Sequence, residues 1–165
     1  EGIPLTDKTG LTAIRKLVEK NDFPTAKTRG VVHKKRIQSA YKKYLLQSTD
    51  IKTPRPLQVV VDAGNGMGTT LTPILENGLP IRVTPLFFEL DGNFPNRDSN
   101  PTLAKNQKAI KATIKKERPD FGVAFDGDVD RVAFFDEKGR YINSAVIGAL
   151  IADLMLKRYP KETYV

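Results

Sequence analysis

The interpretation of the fold rests on one stretch of sequence, Phe121-Gly-Val-Ala-Phe-Asp-Gly-Asp-Val-Asp-Arg-Val-Ala-Phe-Phe135. Two short apolar runs, 121–125 and 132–135, flank a polar segment at 126–131. Their β-branched and aromatic residues are typical of buried strands, so the polar segment joins two strand ends. Because parallel strands need a crossover of about a dozen residues or more, so short a loop predicts that these two strands run antiparallel.

The loop carries aspartates at alternate positions, Asp126, Asp128 and Asp130, followed by Arg131. Two carboxylates about 4 Å apart repel by roughly 4 kcal/mol at an effective dielectric near 20, so a cluster of acids needs a counter-charge. Oxygen ligands without Cys or His nearby favour Mg²⁺, or Mn²⁺ or Ca²⁺, over zinc. The planar fork of Arg131 suits a phosphate or carboxylate shared with the metal. The loop therefore predicts metal-assisted chemistry on a phosphoryl group.

Other interpretations of this loop stay open on the residues alone. An EF-hand also begins with alternating aspartates, and Glu137 falls at the twelfth position, but Arg131 replaces the required glycine and strands replace the helices. A nucleophilic aspartate of the haloacid-dehalogenase type also follows a strand, yet Asp130 stands where Thr or Val is expected after Asp128. An acidic turn without a ligand is the plainest alternative, because Asp and Gly are ordinary turn residues.

Composition limits the class of protein. A chain of 165 residues can form one domain with a core and extensions. The lack of cysteine excludes a disulfide framework and thiolate metal sites, and fits a reducing compartment. No apolar run approaches the ~20 residues that span a bilayer, and no signal-peptide pattern opens the chain. We expect a cytoplasmic protein without a membrane partner.

The net charge of +8 raises the question of a nucleic-acid partner. Seven basic residues lie between positions 27 and 43 without an acidic one: Lys27, Arg29, Lys34, Lys35, Arg36, Lys42 and Lys43. Aromatic residues are not interleaved with them as in a base-stacking surface. We therefore expect no nucleic-acid partner. A free-standing metal- or phosphate-binding module and a basic nucleic-acid-binding domain stay alternatives. The single histidine, His33, is expected to be a surface residue.

The remaining chain alternates helical and strand patterns. The expected elements are helices at 12–20 and 36–48, a strand at 57–61, a helix from 69 or 70, a strand at 81–86, a helix from Asn100 to about Glu117 and a final helix at 145–157. This order predicts an α/β, three-layer fold. Its sheet is mixed, mainly parallel and four-stranded, with helices on both faces and an antiparallel edge strand at 132–135. The residues after that strand, with Gly139 and Tyr141, are expected to form a turn. Ligands of such sheets gather at the carboxyl ends of the parallel strands, where the Asp loop begins.

A glycine-rich turn at 62–68 connects the first strand to its helix. Gly64 and Gly66 have the spacing of a dinucleotide fingerprint, but position 69 is Thr where the third glycine should stand. The turn also lacks the Gly-Lys-Ser/Thr ending of a P-loop. We therefore interpret it as a tight strand-to-helix crossing.

Motifs in three places together resemble the α-D-phosphohexomutases, the family of phosphomannomutase and phosphoglucomutase. They are Val-Val-Val-Asp-Ala-Gly-Asn-Gly-Met-Gly at 59–68, Asp-Gly-Asn-Phe-Pro at 91–95 followed by Asn-Pro at 100–101, and Phe-Asp-Gly-Asp-Val-Asp-Arg at 125–131. The resemblance spans roughly 41–140 and implies the second of four domains. Residues 1–37 would then be the tail of the preceding domain and a linker, 38–141 the second domain, and 142–165 the start of the following one.

The resemblance also implies residue roles. Asp126, Asp128 and Asp130 would bind Mg²⁺, and Arg131 would approach a phosphoserine and the substrate phosphate. The family usually has Gly at the position of Val129, so the loop should be less pliant here. The family's serine loop, sugar-reading loop and second phosphate-binding loop do not occur in this sequence. The chain is therefore expected to be a catalytically inert fragment of a mutase. Its expected partners are the remaining domains of a parent chain and, through those domains, a hexose phosphate substrate.

Overall fold

The computed structural model describes residues 2–47, 51–161 and 163, in two compact units divided between Arg36 and Ile37. In the first unit a π-helical turn, Asp7–Leu11, leads into helix α1, Thr12–Lys20, which confirms the predicted helix. Asn21 ends it in the left-handed region, with φ 51°. The apolar side chains of α1 are exposed within this unit, Val18 by 58%.

The second unit holds the remaining helices and strands. In chain order they are α2 (Gln38–Gln47), β1 (Leu57–Asp62), α3 (Gly68–Glu76), β2 (Ile81–Leu86), a 3₁₀ turn (Ala104–Gln107), α4 (Lys108–Glu117), β3 (Phe121–Phe125), β4 (Val132–Phe135), β5 (Tyr141–Ile142) and α5 (Ser144–Arg158). The four predicted strands are therefore confirmed: β2, β3 and β4 have the predicted bounds, and β1 is one residue longer than predicted. The order is that of an α/β domain.

The strands form one sheet in the order β2-β1-β3-β4-β5. β1 pairs in parallel with β2 and β3, while β4 runs antiparallel to β3, as the short Asp loop predicts. The prediction of four strands is wrong, because β5 pairs with β4 and takes the edge position expected for 132–135. Tyr141, expected in a turn, lies opposite Phe135 in this pair, and their rings make an edge contact at 5.9 Å.

Each face of the sheet has its own core, as expected for strands buried on both sides. On one face Val60 and Phe135 pack with Ile110 and Ile114 of α4, all fully buried. On the other face Val59, Val61 and Val123 form a second cluster, against which Phe125 packs. The β1-to-β2 and β2-to-β3 connections run in opposite directions across the sheet, so right-handed crossovers place α3 and α4 on opposite faces.

Several helix details differ from the prediction. α4 begins at Lys108, not at Asn100, because the Asn100 side chain accepts hydrogen bonds from the N–H and hydroxyl of Thr102 and closes a local turn. Leu103, expected to be buried, is 41% exposed. Pro73 was expected in the first turn of α3. Because α3 begins at Gly68, Pro73 lies beyond that turn.

The apolar stripes of α2 and α5 are not core. In α2, Tyr41 and Tyr44 are 45% and 72% exposed, which corrects the prediction that this stripe packs into a core; the predicted end of α2 at Ser48 lies outside the described residues. α5 begins where Asn143 caps it by accepting from the N–H of Ala145, and its Leu150 and Leu154 are also exposed. Among the described helices, none has the length and apolar character needed to span a membrane.

Candidate metal centre

The structure brings the three predicted metal ligands together in the loop after β3. One carboxylate oxygen from each of Asp126, Asp128 and Asp130 lies within 4.8 Å of the others. Asp126 is 1% exposed, whereas Asp128 and Asp130 are exposed. The cluster stands at the carboxyl ends of the parallel strands β1 and β3, because Asp62 and Ala124 are paired there.

Arg131 lies against two of these acids. Its Nη2 is 2.9 Å from Oδ2 of Asp126, and its Nε donates to Oδ1 of Asp130 at 3.1 Å. The hydrogen bond to Asp130 and the charge of Asp126 raise the pKa of Arg131. The guanidinium therefore supplies part of the counter-charge that the acidic loop requires, while 53% of the side chain stays exposed. The predicted contact of Arg131 with a phosphate stays a prediction.

The donor set fits a hard divalent cation. All candidate ligand atoms are carboxylate oxygens, the type that Mg²⁺ prefers. The buried Oδ2 atom of Asp126 meets Arg131 only as an ion-pair contact, without hydrogen-bond geometry, and it has no hydrogen-bond donor in the described chain. A buried acceptor of this kind is normally satisfied, so its position beside two further carboxylates supports a cation as its partner.

The loop backbone closes as a hairpin around the acids. The N–H of Asp126 donates to the carbonyl oxygen of Arg131, and the N–H of Arg131 returns to Oδ1 of Asp126, both at 3.2 Å. This turn places Val129 at φ 67°, in the left-handed region that a β-branched residue rarely adopts. The backbone at Val129 is therefore strained, and the expectation that the loop is less pliant here stays a prediction.

The glycine-rich turn packs directly against the Asp loop, residues 126–131. The N–H of Met67 donates to the carbonyl oxygen of Gly127 at 2.9 Å, and a Cβ at Gly66 would lie 2.6 Å from that oxygen. The amides of Gly64, Asn65 and Gly66 are also bonded within the protein, to Asp62, Phe87 and Ala63. The turn therefore does not offer these amides to a phosphate, which supports its interpretation as a tight crossing.

The segment 91–101 also packs against the Asp loop. Phe94 adopts φ 51° and brings its ring within 2.9 Å of where a Cβ at Gly127 would lie. Asn96 donates to the side chain of Asn65 at 2.8 Å, which joins this segment to the glycine-rich turn. The motifs that lie far apart in the sequence thus form one assembly around the Asp loop.

Sequence reasoning missed a buried ion pair in this assembly. Arg97 donates from Nε to Oδ2 of Asp62 at 2.9 Å and from Nη2 to Oδ1 at 3.0 Å. Burial raises the pKa of Asp62, and the hydrogen bonds and charge of Arg97 oppose that rise. A signal existed, because Asp62 is the only charged residue in the stretch 57–68 and follows a buried apolar strand. Nothing in the sequence pointed to Arg97 as its partner.

The single histidine and nearly all of the basic run at 27–43 lie on exposed surface. His33 is exposed, as expected, and so are the basic residues of the run except Lys42, which is half-buried and donates to the carbonyl oxygen of Asn77. The expectation that nucleic acid is not a partner stays a prediction.

An α/β domain with three clustered aspartates at its strand ends is the class that fold and site define. The family model for "Phosphoglucomutase/phosphomannomutase, alpha/beta/alpha domain II" matches residues 39–139. The chain belongs to the phosphoglucomutase/phosphomannomutase family, and the predicted resemblance is confirmed.

Individual relatives support the same assignment. The chain is 38% identical over 157 residues to a Xanthomonas campestris pv. campestris protein that carries the name "Phosphohexose mutases". The match covers 95% of this chain and 35% of that protein. It is 34% identical over 164 residues to the phosphomannomutase of Escherichia coli, covering 95% and 36%. The chain thus spans about a third of the length of these curated relatives.

A solved structure shares the fold. The crystal structure of a phosphoglucomutase/phosphomannomutase family protein from Burkholderia thailandensis superposes with a TM-score of 0.75 at 31% identity, covering 94% of this chain and 33% of that one. The α/β architecture is therefore that of the family.

Proposed function

We propose that this chain is part of a phosphohexomutase and supplies the metal loop for phosphoryl transfer between the 1- and 6-positions of a hexose phosphate. The transfer would proceed through a phosphoserine that lies outside this chain. The observation that carries the proposal is the gathering of three carboxylate oxygens within 4.8 Å at the strand ends of a family member. Proteins of this family generally depend on a metal.

Asp126, Asp128 and Asp130 would hold Mg²⁺ through one oxygen each. When bound, the ion supplies Lewis acidity toward the oxygens of a phosphoryl group. Asp126 is the anchored ligand, because its side chain is buried and its backbone is tied to Arg131. Asp128 and Asp130 are exposed, so they can adjust to the coordination shell. One fixed and two adjustable carboxylates suit an ion that demands near-octahedral geometry and keeps several waters.

Arg131 would bind phosphoryl oxygens beside the metal. Its guanidinium is half-exposed and already lies among the metal ligands, so a phosphoryl group at the metal falls within its reach. A planar guanidinium can donate two parallel hydrogen bonds to phosphate oxygens, and it stays charged at every accessible pH. The chain's own contribution is thus electrostatic, offsetting charge where it develops.

The nucleophile and the proton-transfer groups of the reaction belong, in this proposal, to other parts of the parent protein. This chain alone is then inactive, and the hexose phosphate and the remaining domains of the parent chain are its partners. The assignment of 1–37, 38–141 and 142–165 to three successive domains, and a cytoplasmic location, stay predictions.

Metal binding by this chain tests the proposal. Electron paramagnetic resonance of free Mn²⁺ should show one weak site that Mg²⁺ displaces and that Asp128→Ala abolishes. Asp22→Ala is the matched control, since it removes the same charge from an exposed aspartate of the first unit. Metal binding that survives Asp128→Ala, or salt-sensitive DNA binding without a metal response, contradicts the proposal. Interconversion of mannose 1- and 6-phosphates by this polypeptide would contradict its inactivity.

A further inference from the structure

Arg97 is a buried cation whose hydrogen-bonding capacity is used in full. Its side chain is only 4% exposed. Nε and Nη2 bind the Asp62 carboxylate, and Nη2 also donates to the carbonyl oxygen of Phe125 at 2.7 Å. Nη1 donates to the carbonyl oxygens of Asp98 and Ser99 at 3.0 and 3.3 Å. An arginine has five N–H donors, and all of them have partners here, so the guanidinium is held in one position.

The partners of Arg97 come from each segment that surrounds the Asp loop. Asp62 is the last residue of β1, and Phe125 is the last residue of β3, directly before the metal ligand Asp126. The glycine-rich turn leaves room for the guanidinium, because a Cβ at Gly64 would lie 2.5 Å from Nη2. One side chain therefore fixes the strand ends to each other and holds the carbonyl oxygen of Phe125.

Stability alone does not explain this arrangement. Burying two charges costs solvation, and replacing a buried ion pair by uncharged residues of similar volume is often neutral or even stabilising. The bond from Nη2 to the carbonyl oxygen of Phe125 has a different consequence. It fixes the peptide that precedes Asp126, the one fully buried member of the metal cluster.

We infer that Arg97 is a positioning residue of the metal loop. It is fixed by the Asp62 carboxylate and holds the carbonyl oxygen of Phe125, and this contact sets where the Asp126 carboxylate meets the divalent cation. The inference rests on the proposed function for the cation. The positioning itself involves only residues of this chain, so it can be tested with and without metal.

The double variant Arg97→Met with Asp62→Asn tests it, because no unpaired charge is left buried and Asn can keep the acceptor for the Gly64 N–H. We expect Mn²⁺ to bind at least about tenfold more weakly, the loss typical of supporting residues around a metal. Without metal, the Asp126 amide, which donates to Arg131, should exchange its hydrogen at least tenfold faster, while the Val60 amide is unchanged.

The matched control is Arg55→Met with Asp120→Asn. Arg55 also binds its aspartate through two nitrogens, but this pair is at the opposite, amino end of β1 and β3. The control should keep wild-type Mn²⁺ affinity and wild-type exchange at Asp126. Should the Arg97 double variant fail to fold, Arg97→Lys keeps the charge but not the planar fork, and the same changes are expected.

Unchanged exchange at Asp126 in a folded Arg97 variant overturns the inference, whatever the metal does. Faster exchange at Asp126 with unchanged Mn²⁺ affinity also overturns it, because the carbonyl contact would then not govern the ligand. If the wild-type chain binds no Mn²⁺, the proposed function fails on that result, and the exchange comparison alone decides whether Arg97 positions the loop.

Discussion

Gly66→Ala probes the contact between the glycine-rich turn and the Asp loop. The added Cβ would lie 2.6 Å from the carbonyl oxygen of Gly127 and 2.8 Å from its Cα. Ordinary contact begins at 3.4 Å, so one of the two backbones must move by about 0.8 Å. Gly66 does not have a positive φ, so the substitution adds volume without backbone strain.

The expected cost follows from that displacement. Overpacking of this kind costs about 1–3 kcal/mol, and loss of the hydrogen bond from Met67 to Gly127 adds about 1 kcal/mol. We expect urea unfolding to show a loss of about 2 kcal/mol or more, and Mn²⁺ affinity to fall at least about tenfold because the ligands on either side of Gly127 shift.

Gly92→Ala provides the control, because nothing lies within 4 Å of a Cβ there and its φ is not positive. It should leave stability and metal affinity unchanged. A Gly66→Ala variant as stable as the Gly92→Ala variant would refute the close approach of the two backbones. A destabilised variant with full metal affinity would show that the glycine-rich turn does not position the ligands.

Other predictions concern the loop, the sheet end and the core. Val129→Gly should be more stable than Val129→Ala by about 1 kcal/mol in urea unfolding, because both remove the branched side chain but only glycine accepts φ 67° without strain; the usual order, with Ala the more stable, would contradict the strain. The hydrogen bonds from Arg55 and the Gln58 amide lower the pKa of Asp120 to about 2, so a carboxyl titration by NMR should have its midpoint there, and Arg55→Met should raise it toward 3.8. Because this pKa is lowered in the folded protein, the wild-type chain should have a larger free energy of unfolding than Asp120→Asn above about pH 4, and this difference should vanish as the pH falls through about 2. A difference in unfolding free energy that grows as the pH falls would contradict the predicted sign. Phe135→Ala should cost about 3–5 kcal/mol since Phe135 is fully buried, whereas Phe23→Ala, at a side chain 56% exposed, should cost less than about 0.5 kcal/mol.

The sequence determines the strands well because they are buried on both faces. Val59, Val60 and Val61 of β1 and the apolar residues of Phe121–Phe125 form short, mainly buried apolar runs, so composition alone identifies these strands. β5 has only two residues, Tyr141 and Ile142, and no periodic pattern can appear over so short a length. Its pairing with β4 depends on tertiary contact between Tyr141 and Phe135.

Local signals failed where side chains found other partners. Asn100 before Pro101 is a strong helix-start pattern, yet Asn100 binds Thr102, and Gln107 donates to the carbonyl oxygens of Pro101 and Thr102. These bonds hold 101–107 in turns and a 3₁₀ segment, so α4 starts later. A pattern read along the chain cannot weigh such competing hydrogen bonds.

The clustering of the three aspartates was predictable because they are close in sequence, whereas the ion pair of Arg97 and Asp62 behind them was not. Asp126, Asp128 and Asp130 lie on one short loop, so their spacing brings the oxygens together. Asp62 and Arg97 are 35 residues apart and meet only when the sheet forms. Arg131 was predicted to contact a phosphate, whereas in the structure it pairs with Asp126 and Asp130, whose charge attracts it.

The most direct test of the metal site is a crystal of this chain grown with Mn²⁺, whose anomalous scattering identifies it. We expect one anomalous peak in the Asp loop, in contact with a carboxylate oxygen from each of Asp126, Asp128 and Asp130. Saturating Mn²⁺ with no peak there, and with Arg131 still paired to Asp126 and Asp130, would contradict the account.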